Sequence, residues 1–177
     1  MLLQTELAKF WSWAGMTPET YNEERGLGEW ETAYPGWDAL YKAAVEALEQ
    51  LNTGFNHDLA QQLVYALAID NEQQVILQKV EELLESKLRF VKKAINSDQP
   101  QARWQAAELL GRSEVEDREK LLANLINRDA DKYVKRRALM SLSKVNHATA
   151  LEFAKGFVKD PDPFLKLVAK EIIKQKV

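Results

Sequence analysis

The sequence predicts an all-α fold of stacked helix pairs, an α-solenoid, and three observations carry that prediction. First, three stretches of the C-terminal half repeat one pattern: Ser97-Asp98-Gln99-Pro100-Gln101-Ala102-Arg103, Asp129-Ala130-Asp131-Lys132-Tyr133-Val134-Lys135 and Asp160-Pro161-Asp162-Pro163-Phe164-Leu165-Lys166. Their starts lie 32 and 31 residues apart, a period at which each unit must stack on its neighbours to bury its apolar face. Second, nearly everything after residue 36 carries apolar residues at three and four spacing with short breaks. Third, an alanine follows each copy's basic residue by three positions, at Ala106, Ala138 and Ala169, where a small side chain lets helices approach closely.

Residues 2 to 13 read as an N-terminal helix. The segment 15 to 36 then interrupts the rhythm, interleaving Gly15, Gly26, Gly28 and Gly36 with Pro18, Pro35, five glutamates and the aromatics Tyr21, Trp30 and Tyr34. A structureless connection of about 20 residues is uncommon in a compact domain and is usually functional or disordered; the aromatic content argues against disorder. Leu40, Tyr41, Ala44, Val45, Leu48 and Leu51 make the next stripe, ended by Asn52-Thr53-Gly54, and Leu59, Leu63, Ala66 and Leu67 make another. The apolar run from Val75 to Ile95 holds no Gly or Pro and reads as one long helix or two with a kink.

Three B-type helices follow at about 100 to 111, 131 to 144 and 162 to 175, alternating with A-type helices at about 116 to 128 and 148 to 159. Asp131 and Asp162 are N-cap candidates, while Pro100 and Pro163 stand in the first helical turn, where a missing N–H costs nothing. Val134 and Leu165 are expected in the core with Leu110, Leu142 and Ile173. In the first copy Ser97 and Gln99 replace the aspartates, which weakens its caps. The pattern resembles the HEAT repeat, in the short variety found in phycobilisome lyases and many small bacterial proteins, and the resemblance covers residues 88 to 177. The chain 1–177 reads as a single domain of about four HEAT-like helix pairs, with an N-terminal helix and irregular acidic loop over 1–36 and the helical repeats over 37–177.

Composition narrows the function classes. With 46% hydrophobic and 29% charged residues the chain is too apolar to be disordered, and no stretch approaches the roughly 20 apolar residues of a membrane span. The absence of cysteine removes disulfides, thiolate metal sites and a cysteine nucleophile. The first residues carry no secretory-signal pattern, so a cytoplasmic location is expected. His57 and His147 stand 90 residues apart with no acid or serine at triad or metal spacing. Glu81, Glu82 and Glu85 lack the interleaved histidine of a di-iron motif and read as a solvated face. The expectation is a non-catalytic protein without metal or cofactor, and a monomer.

Charge is polarised: residues 1 to 85 hold 15 acids and 4 bases, whereas residues 86 to 177 hold 12 acids and 20 bases. Such a chain can steer a charged partner. The acidic loop offers two readings that can coexist: Trp30, Tyr34 and Trp37 fold down to seal the open end of the first helix pair, or the aromatics anchor a protein partner, as Trp and Tyr commonly do. On the second reading Glu23, Glu24, Glu29, Glu31 and Asp38 supply charge complementarity to a basic partner, and Trp30 and Tyr34 the anchors. Trp104 aligns with Arg136 and Leu167 beside the buried register, so it either faces a concave binding surface or inserts between helices. Lys135, Arg136 and Arg137, with Arg103, Lys166 and Lys170, form a basic ladder that follows a phosphate backbone or, in the slot of Arg103, Lys135 and Lys166, pairs with Asp129 or Asp160.

The combination of HEAT-like repeats with Glu29-Trp30-Glu31 and Tyr34-Pro35-Gly36-Trp37 resembles immunity proteins of polymorphic toxin systems, including contact-dependent growth inhibition. That resemblance implies a complex with a cognate toxin, often a nuclease, blocked by occlusion of its active site. Two alternatives stand beside it. One is a nucleic-acid protein resembling the helical-repeat DNA glycosylases, against which counts the lack of a catalytic aspartate flanked by tryptophans. The other is a scaffold or a chaperone-lyase-like protein, suggested by the repeat subtype.

Overall fold

The computed structural model describes residues 2–175; Met1, Lys176 and Val177, the ends of the expected domain, lie outside the described residues. It is all-α, with eleven α-helices, one 3-10 turn and no strand among the described residues. None of the helices is long and apolar enough to cross a membrane. The chain divides into two compact units, Met1–Ala102 and Arg103–Val177, where the sequence suggests one domain with an internal boundary after residue 36.

The first unit contains α1 (Leu2–Ala14), a short α2 (Tyr21–Glu24), a 3-10 turn (Trp30–Ala33), α3 (Trp37–Thr53), α4 (His57–Ile69), α5 (Val75–Leu83) and α6 (Lys87–Ile95). Helix α3 packs on α4 and α5, α4 packs on α6, and α1 lies against both α3 and α4. The apolar stripes meet as their spacing dictates: Leu3, Leu7 and Phe10 from α1, Leu40 and Leu48 from α3, Leu63 and Leu67 from α4, Ile76 and Val80 from α5, and Phe90 from α6 are all buried. Each such side chain contributes about 1.5–3 kcal/mol of transfer free energy.

The run from Val75 to Ile95 is two helices, and the break has a tertiary cause. Asn52, in the last turn of α3, donates its amide to the Leu83 carbonyl at 2.8 Å and accepts the Glu85 N–H at 3.0 Å. These bonds replace the helical ones lost at the break, and Lys87 caps the Leu84 carbonyl at 2.7 Å. The start of α5 rests on Asp70, whose carboxylate accepts the Ile76 N–H at 2.7 Å and the Tyr41 hydroxyl at 3.0 Å. Burial pushes the Asp70 carboxyl up to about 6, against the pull of the hydrogen bonds from Ile76 and Tyr41.

The second unit holds α7 (Pro100–Arg112), which begins three residues before the division, then α8 (Arg118–Arg128), α9 (Lys132–Val145), α10 (His147–Phe157) and α11 (Pro163–Lys174). Helix α9 packs on α8, α10 and α11, and α10 packs on α11. Helix α7 approaches α9 so closely that a Cβ on Gly111 would sit 2.7 Å from the Ser141 Cβ. Ala106, Ala138 and Ala169 are all buried, as are Leu110, Val134, Leu142 and Leu165. Ile173 departs from expectation: it is 40% exposed and Ile172 is buried in its place. Leu165, Ala169 and Ile172, at i, i+4 and i+7, form the buried face of α11, and Ile173 lies one residue past it.

The caps follow the motif. Asp131 accepts the N–H groups of Tyr133 and Val134 at 2.7 and 3.0 Å, and Asp162 that of Leu165 at 2.6 Å. One step upstream, Asp129 and Asp160 accept the N–H of Asp131 and Asp162, both at 2.9 Å, and Ser97 takes over that task in the first copy by accepting the Gln99 N–H at 3.1 Å. Serine hydroxyls and aspartate carboxylates make the same local turn. Helix α10 starts one residue earlier than the periodicity suggests, because Asn146 both ends α9 and caps α10 through the Thr149 N–H.

Candidate docking surfaces

The interrupting segment 15 to 36 is built inward first. Tyr21, Trp30, Tyr34 and Trp37 pack with Phe10, Trp11 and Trp13 of α1, with ring centroids 5.2 Å apart for Phe10 and Tyr34 and 5.5 Å for Trp11 and Tyr21. The polar ends of these rings find backbone partners: Trp30 Nε1 donates to the Arg25 carbonyl at 2.7 Å and Trp37 Nε1 to the Glu31 carbonyl at 2.8 Å. Glu31, 1% exposed, is the hub; its Oε1 accepts from Tyr21 at 2.6 Å and from Arg25 at 2.7 and 2.8 Å. Burial, and then the Glu31 carboxylate, push the Tyr21 phenol up.

This placement corrects part of the sequence reading. Glu31 is not a carboxylate offered to a partner, and Tyr34 is buried; both are consumed inside the loop because a buried arginine charge needs a buried acid. Trp30 is half-buried against Phe10. Gln99 adds a tether that its register conceals. Where the later copies place a capping aspartate, its buried amide donates to the Pro18 carbonyl at 2.7 Å.

What the loop presents outward is different. Glu23, Glu24 and Glu29 are exposed, as is Asp38 in the first turn of α3. Between Glu24 and Glu29 in the chain stands Leu27, 99% exposed, which the sequence reading passed over; Gly26-Leu27-Gly28 was its available signal. Gly26 and Gly28 have φ of +64° and +101°, a left-handed pair that turns the chain sharply enough to push the side chain between them outward. Arg25 holds the turn, donating to the Gly26 and Gly28 carbonyls at 3.4 and 3.1 Å while its other bonds go to Glu31. Glu72, from the turn after α4, joins the acidic surround: burial and then the neighbouring Glu29 raise its carboxyl above the usual range.

In the second unit Trp104 is inserted rather than presented, 7% exposed with Tyr133 edge-on at 5.4 Å and the Arg137 guanidinium 5.0 Å from its ring. Arg136, half-buried, sits between Tyr133 at 4.4 Å and Phe164 at 5.1 Å, so cation and rings hold each other. Tyr133, Phe164 and Leu167 are exposed beside it. Of the basic slot, Arg103 makes a bidentate bridge to Asp129 at 2.7 and 2.9 Å; outside the slot, Arg137 pairs with Glu108. Asp160 pairs with Lys132 at 3.1 Å rather than with Lys135 or Lys166.

No curated protein and no solved structure matches the chain. The match that exists is to a family, and it falls on the stretch in which caps, alanines and bridges recur with the repeat: residues 88–174 match the HEAT repeats family.

Proposed function

We propose that this chain is a non-catalytic docking module that uses Leu27 as an apolar anchor within an acidic rim, and that its partner offers an apolar pocket bordered by positive charge. HEAT repeats suggest a protein-interaction or scaffold module. The observation that carries the more specific reading is Leu27 itself, 99% exposed on a turn clamped by Arg25. A lone exposed leucine on a floppy loop is unremarkable; one pre-positioned by a buried ion pair loses little entropy on binding. The exposed Glu23, Glu24 and Glu29, which flank it in the chain, favour a basic surface and speed encounter with it. The finest form of the proposal is an immunity protein that occludes the active site of a cognate basic toxin domain, a nuclease being the type whose surface must be basic to hold phosphates.

The test is to isolate the partner with the full chain as bait and then measure binding. Leu27→Asp is expected to weaken the complex by about 100-fold or more, as for a central anchor. Changing Glu23, Glu24 and Glu29 together to Gln is expected to slow association and flatten its salt dependence. A Leu27→Asp chain that binds as well as the wild type overturns the proposal. For the toxin form, stoichiometric loss of the partner's catalytic activity in the complex is required.

A second reading has one observation in its favour, the Arg136 guanidinium held between Tyr133 and Phe164. Aromatic faces beside arginine suit single-stranded nucleic acid. Binding to an oligonucleotide that falls steeply with salt and is lost in Arg136→Ala would select it.

A further inference from the structure

A cavity of about 500 Å³ opens in the first unit between the start of α4 and the polar face of α6, lined chiefly by Phe55, His57, Gln61, Arg89, Lys92 and Lys93. No carboxylate lines it, although this unit holds 16 acids and only 8 bases. Of the unit's five other cations four are engaged among the described residues, Lys9 with Glu6, Arg25 with Glu31, Lys79 with Glu82 and Lys87 with a carbonyl, Lys42 being the exception. Arg89, Lys92 and Lys93 enter no ion pair among the described residues, and their i, i+3, i+4 spacing sets them on one side of α6. Three like charges gathered without a counter-ion repel one another, a cost that an anionic ligand would remove.

The opposite wall is aromatic and held in place. The Arg89 guanidinium lies 5.7 Å from the Phe55 ring, and His57 meets Phe55 edge-on at 5.2 Å. The volume falls within the range of about 300–1,000 Å³ typical of small-molecule sites. We propose that this cavity binds a small organic phosphate bearing a planar ring, of which a nucleoside monophosphate is the type. Arg89, Lys92 and Lys93 take the phosphate, with the arginine fork able to meet two oxygens at once. Phe55 and His57 take the ring, and the Gln61 amide offers both a donor and an acceptor to its edge. This goes beyond the docking proposal and uses none of its residues.

Calorimetric titration of the full chain at low salt with adenosine 5′-monophosphate, ribose 5-phosphate, adenosine and inorganic phosphate tests it. The nucleotide is expected to bind at least about 10-fold more tightly than the other three probes, with a Kd of about 1 mM or below. Lys92→Gln with Lys93→Gln should weaken nucleotide binding by about 10-fold or more at an unchanged unfolding temperature. Phe55→Leu should reduce the nucleotide to the affinity of ribose 5-phosphate. No binding of any probe at about 1 mM, inorganic phosphate matching the nucleotide, or nucleotide affinity unaltered in the double lysine variant would each overturn the proposal.

Discussion

The loop between residues 15 and 36 and the repeats of the second unit both have to satisfy polar groups outside regular helix, and they do so in opposite ways. In the repeats the same register does the same work each time: Asp131 and Asp162 cap, Asp129 and Asp160 brace the cap, and Ser97 substitutes for them without changing the geometry. In the loop every contact is made once. Glu31 alone joins Tyr21 to Arg25, while the Glu31 backbone carbonyl receives Trp37. Distributed weak bonds tolerate the loss of one member, whereas a hub does not. A one-off arrangement is also free to aim a side chain outward, as Leu27 shows, while a repeated one is bound to stacking.

The largest expected effect breaks the hub. Glu31→Ala leaves the Arg25 charge and the Tyr21 hydroxyl buried without their acid, and should cost about 3–5 kcal/mol in urea unfolding. A cost below about 1 kcal/mol would place the loop's stability in its aromatic packing instead. Next comes Asp70, whose carboxyl titrates near 6 in the folded protein against 3.8 in its absence of structure. Between these values the folded state holds a proton that the unfolded state has released, so stability rises as pH falls from 7 towards 4. Unfolding curves should show a gain of about 2 kcal/mol over that range that Asp70→Asn abolishes.

Two glycines sharpen the stacking side of the comparison. Gly111→Ala forces α7 and α9 apart and should cost about 1–3 kcal/mol, whereas Gly156→Ala, in α10 with nothing within 4 Å, should stabilise by about 0.5–1 kcal/mol. Thermal unfolding distinguishes the signs. The smallest effect is the single cap: Asp131→Ala should cost about 1 kcal/mol, and Gln99→Asp should restore a cap to α7 while releasing Pro18. Hydrogen exchange across Thr17 to Glu24 is then expected to accelerate in Gln99→Asp and to stay unchanged in Asp131→Ala.

Much of the fold was legible because repeats write their mechanics locally. The period, the capping aspartates and the buried alanines are all read within one helix and its turn. The choice between one helix and two over Val75 to Ile95, and the place of the break at Leu84, were not, since no Gly or Pro marks it and the residue responsible, Asn52, lies 31 positions before Leu83. The candidate docking surface was legible in part. The acidic loop was found, but Glu31 and Glu29, two residues apart, were indistinguishable until packing buried one and exposed the other. Trp104 was placed at the right register, yet only the neighbouring Tyr133 and Arg137 decide that it is inside.

By itself the sequence determined helix, period, cap and charge balance, because each depends on residues within one or two turns of one another. Tertiary structure decided which carboxylates remain at the surface, where the helix over Val75 to Ile95 divides, and that Leu27 stands out from the loop. Those outcomes depend on burial, and burial is set by neighbours distant in the chain whose approach no local pattern records.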